Sequence, residues 1–161
     1  MPTRLADSTQ IDVPAEVAWA FLSEPPRFHA IQPNTSVQLL SGTFDTVGSR
    51  YLVTTKTAGH VIDATHEIIR IEPPRLLETR TTSQGTVGVS LLQVEPIRDD
   101  ACVVIMQGEI EWGGSFMAVV SRVLTGVFGR RTFAAALQRM KEAIETDAAS
   151  AGGEAHLAEE P

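Results

Sequence analysis

The sequence predicts one α+β domain, an antiparallel sheet of seven strands followed by a long C-terminal helix. Two observations point there first: strand-like runs alternate apolar and polar residues, and short connections rich in turn residues separate them. A third is that the chain changes to helical periodicity after Gly113-Gly114. The run ACVVIMQGEIEW at 101–112 shows the alternation well. Cys102, Val104, Met106, Gly108, Ile110 and Trp112 share one side, and the more polar Gln107, Glu109 and Glu111 share the other, because successive strand side chains point to opposite faces.

The elements follow in order. Arg4 to Val13 reads as the first strand, closed by Pro14. Pro14 sits near a helix start where its missing N–H costs little, and Glu16 follows in the first turn, where the helix dipole favours an acid. Ala18, Trp19 and Leu22 make a short amphipathic helix that Pro25-Pro26 ends, and a second helical turn is expected around Arg27 to Ile31. Six further strands are expected at 35–40, 49–57, 60–71, 76–82, 86–95 and 101–112. Their connections are too short for parallel crossovers, so the sheet should be a meander.

Ser115 is a candidate N-cap for a helix running to about Asp147. Phe116, Val119, Val120, Val123 and Val127 form one apolar stripe, and Phe133, Leu137, Met140 and Ile144 form another. At roughly 100° per residue the second is turned by about 90° from the first. Gly126 and Gly129 lie between them, which predicts a kink or short break between Gly126 and Arg131.

A chain of 161 residues with 43% apolar composition can build one real core. The formal charge of -7 is concentrated at the C-terminus, where residues 145–161 hold acids and no Lys or Arg. This composition lacks the basic footprint of nucleic-acid binding. Residues 148–161, small, polar and acidic, read as a disordered tail, leaving residues 1–147 as the folded unit. The start has no apolar signal region, and no stretch approaches the roughly 18 apolar residues of a membrane span. With a single cysteine, Cys102, a cytoplasmic protein is expected.

IDVPAEVAWAFLSEPPRF, GSRYLVTT, HEIIRIEPPRLLE, and LLQVEP followed by RDDACVV resemble successive segments of the START-related, polyketide cyclase/dehydrase-like superfamily (SRPBCC). The resemblance covers about residues 4–147 and implies the helix-grip fold, a curved sheet wrapped around the C-terminal helix with an apolar cavity between them. In that setting Gly108 leaves room or permits curvature, and Trp112 sits at the rim or roof.

Strand parity and the first helical stripe then give the expected ligand-binding set. It comprises Tyr51 and Val53, Ile62 and His66, Leu92, and Val104, Met106, Gly108 and Trp112 on the strands. Phe116, Val120, Val123 and Val127 come from the helix, with Arg130 at the mouth as a partner for an acidic ligand group. His66 and Tyr51 are also the candidates for proton transfer. His60 and His66 stand about 20 Å apart along a strand and cannot share a metal. Cys102 has no basic neighbour in sequence, and no serine sits in a nucleophile elbow, so neither metal nor covalent catalysis is expected.

Apolar inward rows with little polar equipment favour burial of a small hydrophobic or amphipathic ligand, such as a lipid, an aromatic polyketide or an isoprenoid, without a cofactor. Two other readings stay open: an aromatase/cyclase-type enzyme, and a non-enzymatic regulator or interaction module with a filled core. A homodimer is compatible with all three.

Overall fold

Seven strands and three helices alternate as the sequence orders them in the computed structural model. It describes residues 2–114 and 116–158, and for 116–121, 123–128 and 153–158 the backbone alone. Strand β1 (Thr3–Ile11) leads into helices α1 (Ala15–Leu22) and α2 (Pro25–His29). Strands β2 (Thr35–Ser41), β3 (Arg50–Thr57), β4 (His60–Glu72), β5 (Leu76–Ser83), β6 (Thr86–Arg98) and β7 (Ala101–Glu111) follow, and α3 spans Phe116–Ala158.

Each of β2 to β7 pairs antiparallel with the next, and β1 closes onto β7, giving the order β1-β7-β6-β5-β4-β3-β2. The β3–β4 and β5–β6 hairpins turn through Ala58-Gly59 and Gln84-Gly85, all four at positive φ. That is the two-residue turn whose twist matches the flanking strands. In β4 the register shifts between Ile68 and Arg70. The extra residue turns Ile71, rather than Arg70, onto the face shared by His66 and Ile68.

The core lies between this face and the helices. Ile11, Leu22, Ile68, Val94, Cys102 and Val104 meet Met140 and Ile144 there, all within 2% of complete burial. The second predicted stripe, with Leu137, Met140 and Ile144 buried and Phe133 packed beside them, therefore docks α3. Polar clamps fix its position: Lys141 Nζ donates to Gln10 O at 2.9 Å, and Asp12 N donates to Glu145 Oε1 at 3.0 Å.

Two expectations about the helix need correction. Of the kink or short break expected between Gly126 and Arg131, the break does not occur, since α3 is continuous through Gly126 and Gly129. A glycine costs a helix interior only about 1 kcal/mol, which docking outweighs, and Gly129 is itself buried. Nor does the helix stop near Asp147: it continues to Ala158. Ala148 packs against the core and the alanines beyond it are strong helix formers, so polarity alone does not end the helix. The proposed N-cap Ser115 lies outside the described residues. No helix among the described residues is long and apolar enough to cross a membrane.

Candidate functional site

Strand register builds the site. Tyr51 on β3 pairs directly with His66 on β4, His66 with Thr81 on β5, and Thr81 with Gly88 on β6. Ile68, Thr79, Ser90 and Gly108 make the adjoining row, and Leu77, Leu92 and Met106 the next. A pleated sheet must put each such row on one face, here the helix side. The first two rows run from larger side chains on β3–β5 to small ones, Gly88, Ser90 and Gly108, on β6–β7, whereas the third is apolar and large throughout. A Cβ added to Gly108 would meet nothing within 4 Å, so this glycine borders open space.

The polar row is tightly arranged. The His66 ring stacks on Tyr51 with centroids 4.9 Å apart and planes 9° from parallel. His66 Nδ1 shares a 3.0 Å hydrogen bond with Thr81 Oγ1, and the hydroxyls of Thr79 and Ser90 share one of 2.7 Å. His29, carried by α2, meets His66 edge-on at 5.4 Å and lies 6.2 Å from Tyr51. Burial lowers both histidines to about 4, with charge on His29 adding to the effect at His66. Burial also raises the Tyr51 phenol above its ordinary range. All three rings are therefore neutral at physiological pH. Among the described residues, His66 Nε2, the Tyr51 hydroxyl and the His29 ring nitrogens have no hydrogen-bond partner.

Two neighbouring hollows adjoin this cluster. The inner one, about 70 Å³, is bounded by His29, Tyr51, His66, Thr79, Ser90 and apolar neighbours including Leu92. The outer one, about 250 Å³, lies between α2 and α3 and is walled by Phe28, Ile31, Met106, Phe133 and Met140, with Gln32 and Arg139 at its edge. Phe28, His29 and Met106 belong to both walls. Two larger depressions lie elsewhere. One, near 390 Å³, spreads over the sheet's outward row around Glu78, Val89 and Gln107, and one near 410 Å³ lies between α1 and Phe44-Asp45. Neither touches the polar row.

The structure thus brings Tyr51, His66, Leu92 and Met106 together at the hollows; Gly108 shares their face by register but lines neither hollow and instead borders the outward depression near 390 Å³. Val53 and Val104 are packed in the core instead. Ile62 has the expected parity but is 39% exposed, because it lies near the β3–β4 turn at the end of its strand. Trp112 donates from Nε1 to Thr3 Oγ1 at 2.9 Å and so fastens the end of β7 to the start of β1. Arg130 is exposed on an unbroken helix and borders neither of these hollows. Phe116, Val120, Val123 and Val127 lie outside the residues whose side chains are described. Cys102 is fully buried, and burial raises its thiol further from the reactive thiolate.

Sequence reasoning missed His29, Thr81 and Arg139. His29 lies in a helix of five residues, too short for its periodicity to reveal a face. Thr81 was findable from register, since it is the direct partner of His66. Arg139 shares a turn with the buried Met140, and only the packing angle of α3 decides where it points.

Residues 2–145 match the family model described as polyketide cyclase / dehydrase and lipid transport. The chain belongs to this family. Its fold is similar to that of the Zhui aromatase/cyclase from Streptomyces, with a TM-score of 0.74 at 14% identity over 90% of this chain and 94% of that one. Norcoclaurine synthase from Thalictrum flavum, solved with dopamine and hydroxybenzaldehyde, gives 0.64 at 16% identity, covering 93% and 88% of the two chains. A conserved protein from Geobacillus kaustophilus gives 0.69 at 18%, covering 89% and 96%. At these identities the likeness establishes the helix-grip fold alone. A search of curated protein sequences finds no match. Family membership makes this polyketide cyclase/dehydrase relative a ligand-binding SRPBCC protein.

Proposed function

We propose that this protein binds a small, mainly apolar, ring-bearing molecule with its body in the outer hollow and a hydroxyl or carbonyl directed at the inner one. The carrying observation is an apolar hollow that shares the wall residues Phe28, His29 and Met106 with a smaller one lined by neutral groups with uncommitted hydrogen-bonding atoms. A hollow of about 70 Å³ is too small for a ring, given that a cavity of roughly 150 Å³ holds benzene, but it suits a polar substituent or ordered water. Met106 stands on the wall of both hollows. Met106→Trp is therefore expected to fill space in both hollows and weaken binding of a hydrophobic fluorescent probe more than tenfold, at an overpacking cost of about 1–3 kcal/mol. Unchanged probe affinity in a folded variant would place the ligand elsewhere.

The protonation state favours carrying over turnover. A general base works best with a pKa near the working pH, whereas His29 and His66 titrate at about 4. Such rings orient a ligand by hydrogen bonding and accept protons poorly. His66→Ala is expected to reduce ligand affinity by about three- to tenfold, the value of one ordinary hydrogen bond. An aromatase/cyclase-type enzyme would instead lose turnover of a poly-β-ketone substrate by about 100-fold or more with little change in binding. Paired binding and turnover assays on this variant separate the two readings.

A further inference from the structure

We propose that the ligand carries an anionic group, of the carboxylate class, which Arg139 receives at the outer edge of the cavity; this rests on the ligand-binding reading above. Among the described residues bordering the two hollows, Arg139 bears the one formal charge and no Asp or Glu is present. Both histidines are neutral there. An acid at this edge meets an attractive partner and no acidic residue in the lining, while an amine meets the reverse.

Arg139 is also free to respond. Its Nε donates to Ala135 O at 3.4 Å within its own helix, and no carboxylate lies within 4.0 Å of it among the described residues. Glu142, one turn further along α3, is engaged by Gln138. The Nη groups therefore keep the forked donor geometry that matches a carboxylate. Apolar walls at Phe133, Ala136 and Met140 lower the local polarizability on one side of the pair and strengthen it relative to bulk water. Because the whole chain carries -7, a preference for anions here must be local rather than a property of the overall field. The resulting ligand is an amphipathic acid: a ring body between α2 and α3, a carboxylate at Arg139, and a neutral polar group toward His66.

Two near-isosteric probes test this. 2-Naphthoate and the neutral 2-naphthamide are titrated by calorimetry at low ionic strength against the parent protein, Arg139→Gln and Arg139→Lys, with Met106→Trp marking the site. The parent is expected to bind the anion about three- to tenfold more tightly than the amide. That ratio should fall to about one in Arg139→Gln and be partly retained in Arg139→Lys. A ratio of one in the parent, or a ratio that survives Arg139→Gln, overturns the assignment while leaving the cavity reading intact, provided Met106→Trp blocks both probes. Absence of binding by either probe overturns the cavity reading and this assignment with it.

Discussion

Lowering the pH from 6.5 toward 4 is expected to destabilise the protein well before its carboxylates titrate. His29 and His66 have ordinary values of 6.5 and are held at about 4 in the folded state by burial. Between these values the unfolded chain binds more protons, so stability rises with pH across the window. The neutral rings' contribution is complete above about 6.5 and is lost as the pH falls through 4. The ceiling is about 3 kcal/mol for each ring. Their neighbours also make double protonation unfavourable, since the rings are 5.4 Å apart and one face of His66 is covered by Tyr51.

The carboxylates act in a different range. Asp45, Glu72 and Glu145 are held below their ordinary values of 3.8 to 4.5 by hydrogen bonds, from Thr43, Arg70 and Lys141 first, so their contributions vanish only at lower pH. Urea denaturation at pH 7.5, 6, 5 and 4.5 separates the two sets. His29→Phe, which keeps a ring against His66 without a titrating nitrogen, should remove roughly half of the slope above pH 4.5. Stability that stays flat from pH 7.5 to 4.5 in the parent would show that the imidazoles are not held neutral by burial.

The legibility of this site varied with the length of the element carrying each residue. His66 and Tyr51 were readable because alternation over strands of 13 and 8 residues fixes which parity faces the core. The sheet itself followed from alternation and turn chemistry, down to the Ala58-Gly59 hairpin. Alternation fixes a face but not how far cover extends along it, which is why Ile62 shares the right parity and is still exposed. His29 and Arg139 depend on how helices approach the sheet, a tertiary quantity that local pattern does not encode. The glycines misled for a related reason. Gly129 reads in isolation as a helix breaker, yet in the fold it is a buried residue within an unbroken helix.

Ile144→Ala is expected to cost about 3–4 kcal/mol, in the upper half of the range for buried isoleucine. Ile144 is 1% exposed and belongs to the stripe that docks α3 with Leu137 and Met140. How much a truncation costs depends on how far the surroundings can collapse into the void. Here collapse is resisted on both flanks, since Lys141 holds Gln10 and Glu145 holds Asp12, pinning the helix to β1 at a fixed distance. For a chain of this size the loss corresponds to a fall in Tm of about 10 °C. Lys141→Ala supplies the contrast, because its ion pair with Glu145 has side chains 24% and 32% exposed and should contribute about 1 kcal/mol or less. If docking is mainly apolar, the isoleucine variant is the more damaging by several-fold in thermal and urea unfolding. Equal losses would mean that the clamps, not the stripe, hold α3 in place. The distinction bears on function, because Met140 is buried in the same stripe and also walls the outer hollow. A helix held by its apolar face keeps the distance from α2 to Phe133 and Arg139 constant as surface charges titrate, so the cavity persists over the same pH range in which the histidines stay neutral.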